Sequence, residues 1–135
     1  MHLNLHIIGI LLIGLALLHI IFPRYFNWEK ELSSLSLINR QMIMVHTFFI
    51  ALTVFLMGLL CLTSSDELTT TGLGKKISFA LAIFWTIRLF LQFFGYSSKL
   101  WKGKSFETKV HIFFVLLWTY LSFIFWTIAI HNEAR

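Results

Sequence analysis

The chain has 135 residues, of which 58% are hydrophobic and 13% are charged, and its formal net charge is +5. A soluble domain carries about 25% charged residues, so this composition indicates an integral membrane protein. The basic residues flank apolar stretches, where membrane topology and lipid headgroups explain them without a nucleic-acid partner. Cys61 is the only cysteine, which excludes an intrachain disulfide.

Four continuous apolar stretches occupy most of the chain, and each is close to the ~20 residues that a helix needs to cross the hydrocarbon. We predict spans at residues 3–22, 41–63, 77–96 and 110–130. No residues are left over for a soluble domain. The predicted fold is an all-α integral membrane protein, with residues 1–135 forming a single transmembrane domain folded as an antiparallel, up-and-down four-helix bundle.

The first span lacks the basic n-region and the small-x-small cleavage site of a signal peptide, so we expect it to be retained in the membrane. Pro23 follows it directly and is expected to end its helix.

The segments between the spans differ in character. The aromatic and leucine residues of segments 24–39 and 97–108 favour short elements in the membrane interface. Residues 69–74 (TTTGLG) are predicted to be a flexible loop.

Basic residues set the predicted orientation. The segments after spans 1 and 3 carry seven lysines and arginines, namely Arg24, Lys30, Arg40, Lys99, Lys102, Lys104 and Lys109. The opposite side carries only Lys75, Lys76 and Arg135. The positive-inside rule therefore places both long loops in the cytoplasm and both termini outside.

The small residues predict how the helices pack. No GxxxG motif is present, because Gly9 and Gly14 are five residues apart, whereas phenylalanine is abundant. We therefore expect aromatic packing, with wider spaces between helices, rather than close backbone contact.

Polar side chains within the spans are the candidates for function, because they are costly at membrane depth. His19 lies near the end of span 1, and His46 and His111 lie near the starts of spans 2 and 4. Span 3 adds a single stripe of polar residues at i, i+4 and i+8, namely Arg88, Gln92 and Tyr96. An up-and-down path would bring all six to one layer on the cytoplasmic side.

Several kinds of site fit such a layer. A b-type haem would use His19 and His46 as axial ligands, with His111, Arg88, Gln92 and Tyr96 orienting a propionate, carbonyl or headgroup. The same groups would also fit a quinone or a lipid headgroup. Zinc or iron would be held by the three histidines His19, His46 and His111. The alternative to all of these is that each histidine is wetted near a helix end and bonds a backbone carbonyl or water.

Arg88 needs a partner, because a guanidinium is costly in the membrane and no span contains an acidic residue. A structural pair would use a loop carboxylate, for which the candidates are Glu29, Glu31 and Glu107. A functional pair would use an anionic or carbonyl-bearing ligand.

The stretches HIIFPRYFNWEKEL, NRQMIMVHTFFIALTVFLMG and FFGYSSKLWKGKSFET resemble those of a group of short, uncharacterised four-span proteins of Bacteroidota-type bacteria. The resemblance covers most of the chain and implies a bacterial inner-membrane location, but no activity. Four helices with histidines on several of them are also similar, in architecture alone, to b-type cytochrome subunits of membrane oxidoreductases.

The first hypothesis for function is an accessory or scaffold subunit whose aromatic faces pack in a larger membrane complex or in a homo-oligomer. The alternatives are a haem- or quinone-binding redox protein and a histidine-ligated metal-dependent membrane enzyme, so the sequence leaves open whether the chain is an enzyme. The lipid bilayer is the one partner that all three hypotheses share.

Overall fold

The computed structural model of the protein describes residues 1–132. Its elements are α1 (His2–Tyr25), α2 (Trp28–Glu31), α3 (Leu37–Thr63), α4 (Ser65–Thr70), α5 (Gly72–Phe94), a short 3₁₀ helix (Ser98–Leu100) and α6 (Ser105–His131). No strand occurs within these residues, which confirms the all-α prediction. The four long helices α1, α3, α5 and α6 are long and apolar enough to cross a membrane, and each overlaps one predicted span.

The chain divides into two compact units, one of which is His2–Ser65 while the other begins at Asp66. The first unit, called the α1–α3 unit, is built on contact between α1 and α3. The buried residues of α1 recur at intervals of three or four, as on one face of a helix. They are Leu5, Ile8, Gly9, Leu12, Leu15 and Ala16.

The expectation of wide spacing is wrong for the α1–α3 unit. A Cβ added to Gly9 would lie 2.8 Å from the carbonyl oxygen of Gly58, and a Cβ on Gly58 would lie 2.8 Å from the carbonyl oxygen of Gly9. The two backbones are therefore in direct contact. The absence of GxxxG within one helix did not reveal this pair, because each helix contributes a single glycine to the crossing.

The second unit, called the α5–α6 unit, packs through aromatic rings, as the sequence predicts. Trp85 of α5 stacks on Trp118 of α6, with ring centroids 5.1 Å apart and planes at 12°. Phe114 also stacks on Trp118, with centroids 5.4 Å apart. Near the far end of α6, Trp126 donates its indole N–H to the hydroxyl of Thr86 at 2.8 Å.

Two local predictions are wrong. Pro23 does not end α1, which continues to Tyr25; a proline so near a helix end removes only one backbone hydrogen bond. Residues 69–74 are not a flexible loop but the corner between α4 and α5. There Thr71 caps α5 by accepting a hydrogen bond from the N–H of Gly74 at 2.9 Å.

Gly74 is required at this corner. A Cβ on it would overlap the backbone of Glu67 and Leu68. The glycine thus lets α5 start directly against α4, whereas the sequence pattern of small and polar residues looked like a flexible linker.

Candidate functional site

The candidate site is a cluster of polar and aromatic side chains in the α5–α6 unit, with the amide of Gln92 at its centre. Gln92 is buried. Its Oε1 accepts hydrogen bonds from Nη1 of Arg88 at 3.4 Å and from the indole N–H of Trp118 at 3.3 Å. Its Nε2 lies 2.9 Å from Nδ1 of His111. One side chain of α5 therefore engages two side chains of α6.

The chemistry of these partners determines which nitrogen of the neutral His111 ring carries the proton. Arg88 and Trp118 are obligate donors, so the oxygen of Gln92 must face them and its NH₂ group must face the imidazole. Nδ1 of His111 is then the acceptor, and the proton of the neutral ring lies on Nε2. His111 consequently presents an N–H donor, not a lone pair, at its second nitrogen.

Arg88 is half-buried, and its guanidinium contacts the neutral side chains of Gln92, Tyr96 and Trp118. Besides Gln92, its guanidinium donates to the hydroxyl of Tyr96 over a long 3.4 Å contact. Its central carbon lies 4.9 Å from the ring centroid of Trp118 and 5.6 Å from that of Tyr96. Cation–π contacts of this kind stabilise a desolvated guanidinium by about 1–2 kcal/mol.

The carboxylate partner expected for Arg88 is not found within its own unit. Among residues 66–132, no acidic side chain forms an ion pair with the guanidinium, so Glu107 does not fill that role. Aromatic faces and an amide take its place.

His111 is also held by a stacking contact. Its ring lies on that of Trp101, just after the 3₁₀ helix, with centroids 3.8 Å apart and planes at 12°. The hydroxyl of Thr108 donates to the carbonyl of Trp101 at 2.7 Å and fixes the turn that carries the tryptophan. The imidazole is thus fixed from two directions, by Gln92 and by Trp101.

His19 lies in the α1–α3 unit, and its neutral ring has the opposite tautomer to that of His111. Its Nδ1 lies 2.8 Å from the carbonyl oxygen of Leu15, one turn earlier in α1. A carbonyl can only accept, so Nδ1 carries the proton and the lone pair is left on Nε2. Its ring also packs on Phe22, with centroids 4.7 Å apart.

His46 is exposed on α3. The α1-facing side of α3 includes Val54 and Gly58, which are 8 and 12 residues further along the chain. At 3.6 residues per turn, His46 lies about 80° and about 120° round the helix from them. Among the described residues, its ring makes no hydrogen bond and no ring contact, including none with His19.

Four of the six predicted site residues therefore come together: Arg88, Gln92, Tyr96 and His111. His19 and His46 share the other unit and do not touch each other. Within each unit, as far as residue 132, no three His, Cys, Asp or Glu side chains are placed to hold one metal ion. The haem and metal sites stay predictions.

Sequence reasoning missed two members of the cluster, Trp101 and Trp118, because tryptophans near spans resemble interface anchors. The sequence also contains a repeat that draws attention to His111: the segment Val-His-x-Phe-Phe occurs twice, at residues 45–49 and 110–114. Trp118 follows His111 by seven residues, which places it on the same helical face.

No protein-family model, curated protein or solved structure matches the chain.

Proposed function

We propose that the protein is a non-enzymatic, multi-pass accessory subunit of the bacterial inner membrane, and that the face of α3 around His46 binds a transmembrane helix of a different membrane protein. In this proposal the four long helices form an antiparallel up-and-down bundle, with the segments around α2 and the 3₁₀ helix in the cytoplasm and both termini outside.

One comparison within the chain carries the proposal. The two copies of Val-His-x-Phe-Phe place a histidine in the first half of α3 and in the first half of α6. In α6 the imidazole is satisfied by Gln92 and covered by Trp101. In α3 the equivalent His46 is exposed and has neither a hydrogen-bond partner nor a stacking partner within residues 1–132. A docked helix would supply for His46 what α5 and the following turn supply for His111.

Energetics favour a protein partner over lipid at this position. His46 is five residues into the predicted span 41–63, or ~7 Å along the helix axis. An imidazole that faces hydrocarbon loses its hydrogen bonds to water, so polar side chains at such positions face protein or a water-filled space. The neighbouring α3 surface is apolar, with Phe49 55% exposed, and would pack against the same helix.

The cluster around Gln92 supports a structural role for the α5–α6 unit. Its polar atoms are used to join α5 to α6, as interhelical hydrogen bonds do in membrane proteins. Such a cluster stabilises a scaffold without requiring a substrate.

The test is the mass of the protein extracted from its own membranes in a mild detergent, measured by native mass spectrometry. The wild type should appear in a complex heavier than the 15.8 kDa chain. His46→Leu should weaken that complex roughly 3- to 30-fold, which corresponds to one interhelical hydrogen bond of about 0.6–2 kcal/mol.

The matched control is His6→Leu, which removes another exposed histidine from a span and whose ring bonds only its own helix, at the carbonyl of His2. It should leave the complex intact. A wild type that is a lone chain, or a His46→Leu complex as stable as the control, contradicts the proposal.

A second candidate, a haem-binding redox protein, is favoured by one observation. His19 donates Nδ1–H to a backbone carbonyl, the arrangement that orients many metal-binding histidines and leaves Nε2 available to iron. The absorption spectrum of the purified protein, before and after dithionite, tests it. A Soret band that shifts on reduction and disappears in His19→Ala would support haem, and a flat spectrum after expression with haem supplied would reject it.

A further inference from the structure

A cavity of about 490 Å³ lies in the α1–α3 unit, where the end of α1, the one-turn helix α2 and the start of α3 meet. The size is within the range of small-molecule sites, ~300–1,000 Å³. Its polar lining consists of Arg24, Asn27, Glu29 and Arg40. Neither His46 nor any residue of the Gln92 cluster lines it.

Arg40 has an unmet hydrogen-bonding requirement in this cavity. Its Nε is buried and has no hydrogen-bond partner among the described residues. A buried donor without an acceptor is costly, and more so when it belongs to a charged group. Because the atom is closed to solvent, an acceptor from outside the chain reaches it only when the guanidinium turns toward the cavity.

The charge of the cavity lining also favours an anionic acceptor. Arg24 also lines the cavity. Among the described residues, neither arginine forms an ion pair, although Glu29 lines the same cavity. Two guanidiniums against one carboxylate leave a net positive charge. Guanidiniums bind phosphate oxygens through paired, charge-assisted hydrogen bonds.

The rest of the lining suits a group at a membrane surface. Trp28 and Met44 contribute apolar walls. Asn27, in the left-handed conformation at φ 52°, makes the tight turn that brings Trp28 beside the end of α1. Tryptophan at a helix end is typical of the headgroup region, where anionic lipids concentrate basic residues.

We propose that this cavity binds a phosphate group at the membrane surface, with Arg40 and Arg24 as its donors. A phosphate in this position would accept hydrogen bonds from the guanidinium of Arg40, whose buried Nε would turn toward it, and would balance the charge of the second guanidinium. An anionic phospholipid headgroup and a small soluble phosphate compound share this chemistry.

Binding is tested with the full-length protein in detergent, by native mass spectrometry during titration with phosphatidylglycerol. The wild type should retain the lipid, and Arg40→Gln should weaken retention at least ~10-fold, as the loss of a charge-assisted hydrogen bond implies. Lys30→Gln is the matched control, because it removes a positive charge from the same segment but does not line the cavity. It should bind as the wild type does.

Arg24→Gln provides a second variant in case Arg40→Gln does not fold, which circular dichroism would reveal. A parallel titration with glycerol 3-phosphate separates the two sources. If that soluble compound binds the wild type and competes with the lipid, the site takes a free phosphate compound; if only phosphatidylglycerol binds, the site takes a headgroup. Equal lipid binding by the wild type and a folded Arg40→Gln or Arg24→Gln variant would overturn the proposal, as would binding of neither ligand by the wild type.

Discussion

At the scale of single residues, the three histidines of the predicted layer are chemically different. His111 accepts a hydrogen bond at Nδ1, whereas His19 donates one from the same atom. Of these two, only His19 therefore has its outer nitrogen, Nε2, ready to bind a metal. A ligand role for His111 would require its proton to move and the amide of Gln92 to turn its NH₂ group toward two other donors.

We predict that ¹⁵N NMR of the histidine side chains finds these two tautomers in one protein. The neutral ring of His111 should carry its proton on Nε2, and that of His19 on Nδ1. In Gln92→Leu, His111 should lose its fixed tautomer and give a mixture, while His19 should be unchanged. A proton on Nδ1 of His111 in the wild type would contradict the arrangement of the cluster.

Part of the cluster could be predicted from the sequence. Arg88, Gln92 and Tyr96 share a helical stripe, and any fold that keeps the helix keeps them together. The orientation of His46 could not be predicted, because α3 is apolar on all sides and gives no periodic signal for its packed face. The same absence of a signal hid Trp118, whose part in the cluster depends on the rotation of α6 against α5.

At the scale of helices, the two units use different packing. The α5–α6 unit relies on stacked aromatic rings and on the hydrogen bonds of Gln92. The α1–α3 unit relies on a backbone contact that two glycines permit. Composition predicted the first kind of packing, because phenylalanine and tryptophan are frequent. It could not predict the second, since that depends on which residues of two separate helices meet.

The glycine contact leads to a prediction. Gly58→Ala should destabilise the protein by about 1–3 kcal/mol, because the new methyl group would press on the backbone of Gly9. Gly14→Ala is the matched control, since nothing lies within 4 Å of its added Cβ. It should be neutral or stabilising by up to ~1 kcal/mol, as alanine favours a helix over glycine. Loss of helicity during unfolding by sodium dodecyl sulfate measures both, and equal stability of the two variants would show that the helices do not meet at Gly9.

At the scale of the whole molecule, hydropathy predicted four helices and placed each one within a few residues. Some helices extend beyond the predicted apolar spans, as α6 does, which begins at Ser105 and not at residue 110. The α4–α5 corner was missed because a capping threonine and a packed glycine are also the residue types that are common in flexible loops. The division into two units is not encoded in hydropathy at all.

Orientation in the membrane gives a prediction that uses the native cysteine. Cys61 is fully buried and should not react with a membrane-impermeant maleimide in intact spheroplasts. Thr70→Cys, at an exposed position of α4, should be labelled, whereas Ser33→Cys and Ser98→Cys should be labelled only after the membrane is opened. Labelling of Ser33→Cys or Ser98→Cys in intact spheroplasts would reverse the proposed topology.

The most direct test of the account is photocrosslinking from the surface of α3 in the membranes where the protein is naturally made. A benzophenone amino acid placed at Phe49 lies about 60° from His46 round the helix, and one placed at Phe48 lies about 160° from it. Both phenylalanines are exposed, at 55% and 62%, so they form a matched pair.

We predict that the probe at position 49 forms one defined adduct with a different membrane protein, that the probe at position 48 does not, and that His46→Leu reduces the adduct. Equal adducts from both positions, crosslinks to lipid alone, or an adduct of two copies of this chain would contradict an accessory subunit that binds its partner through the His46 face of α3.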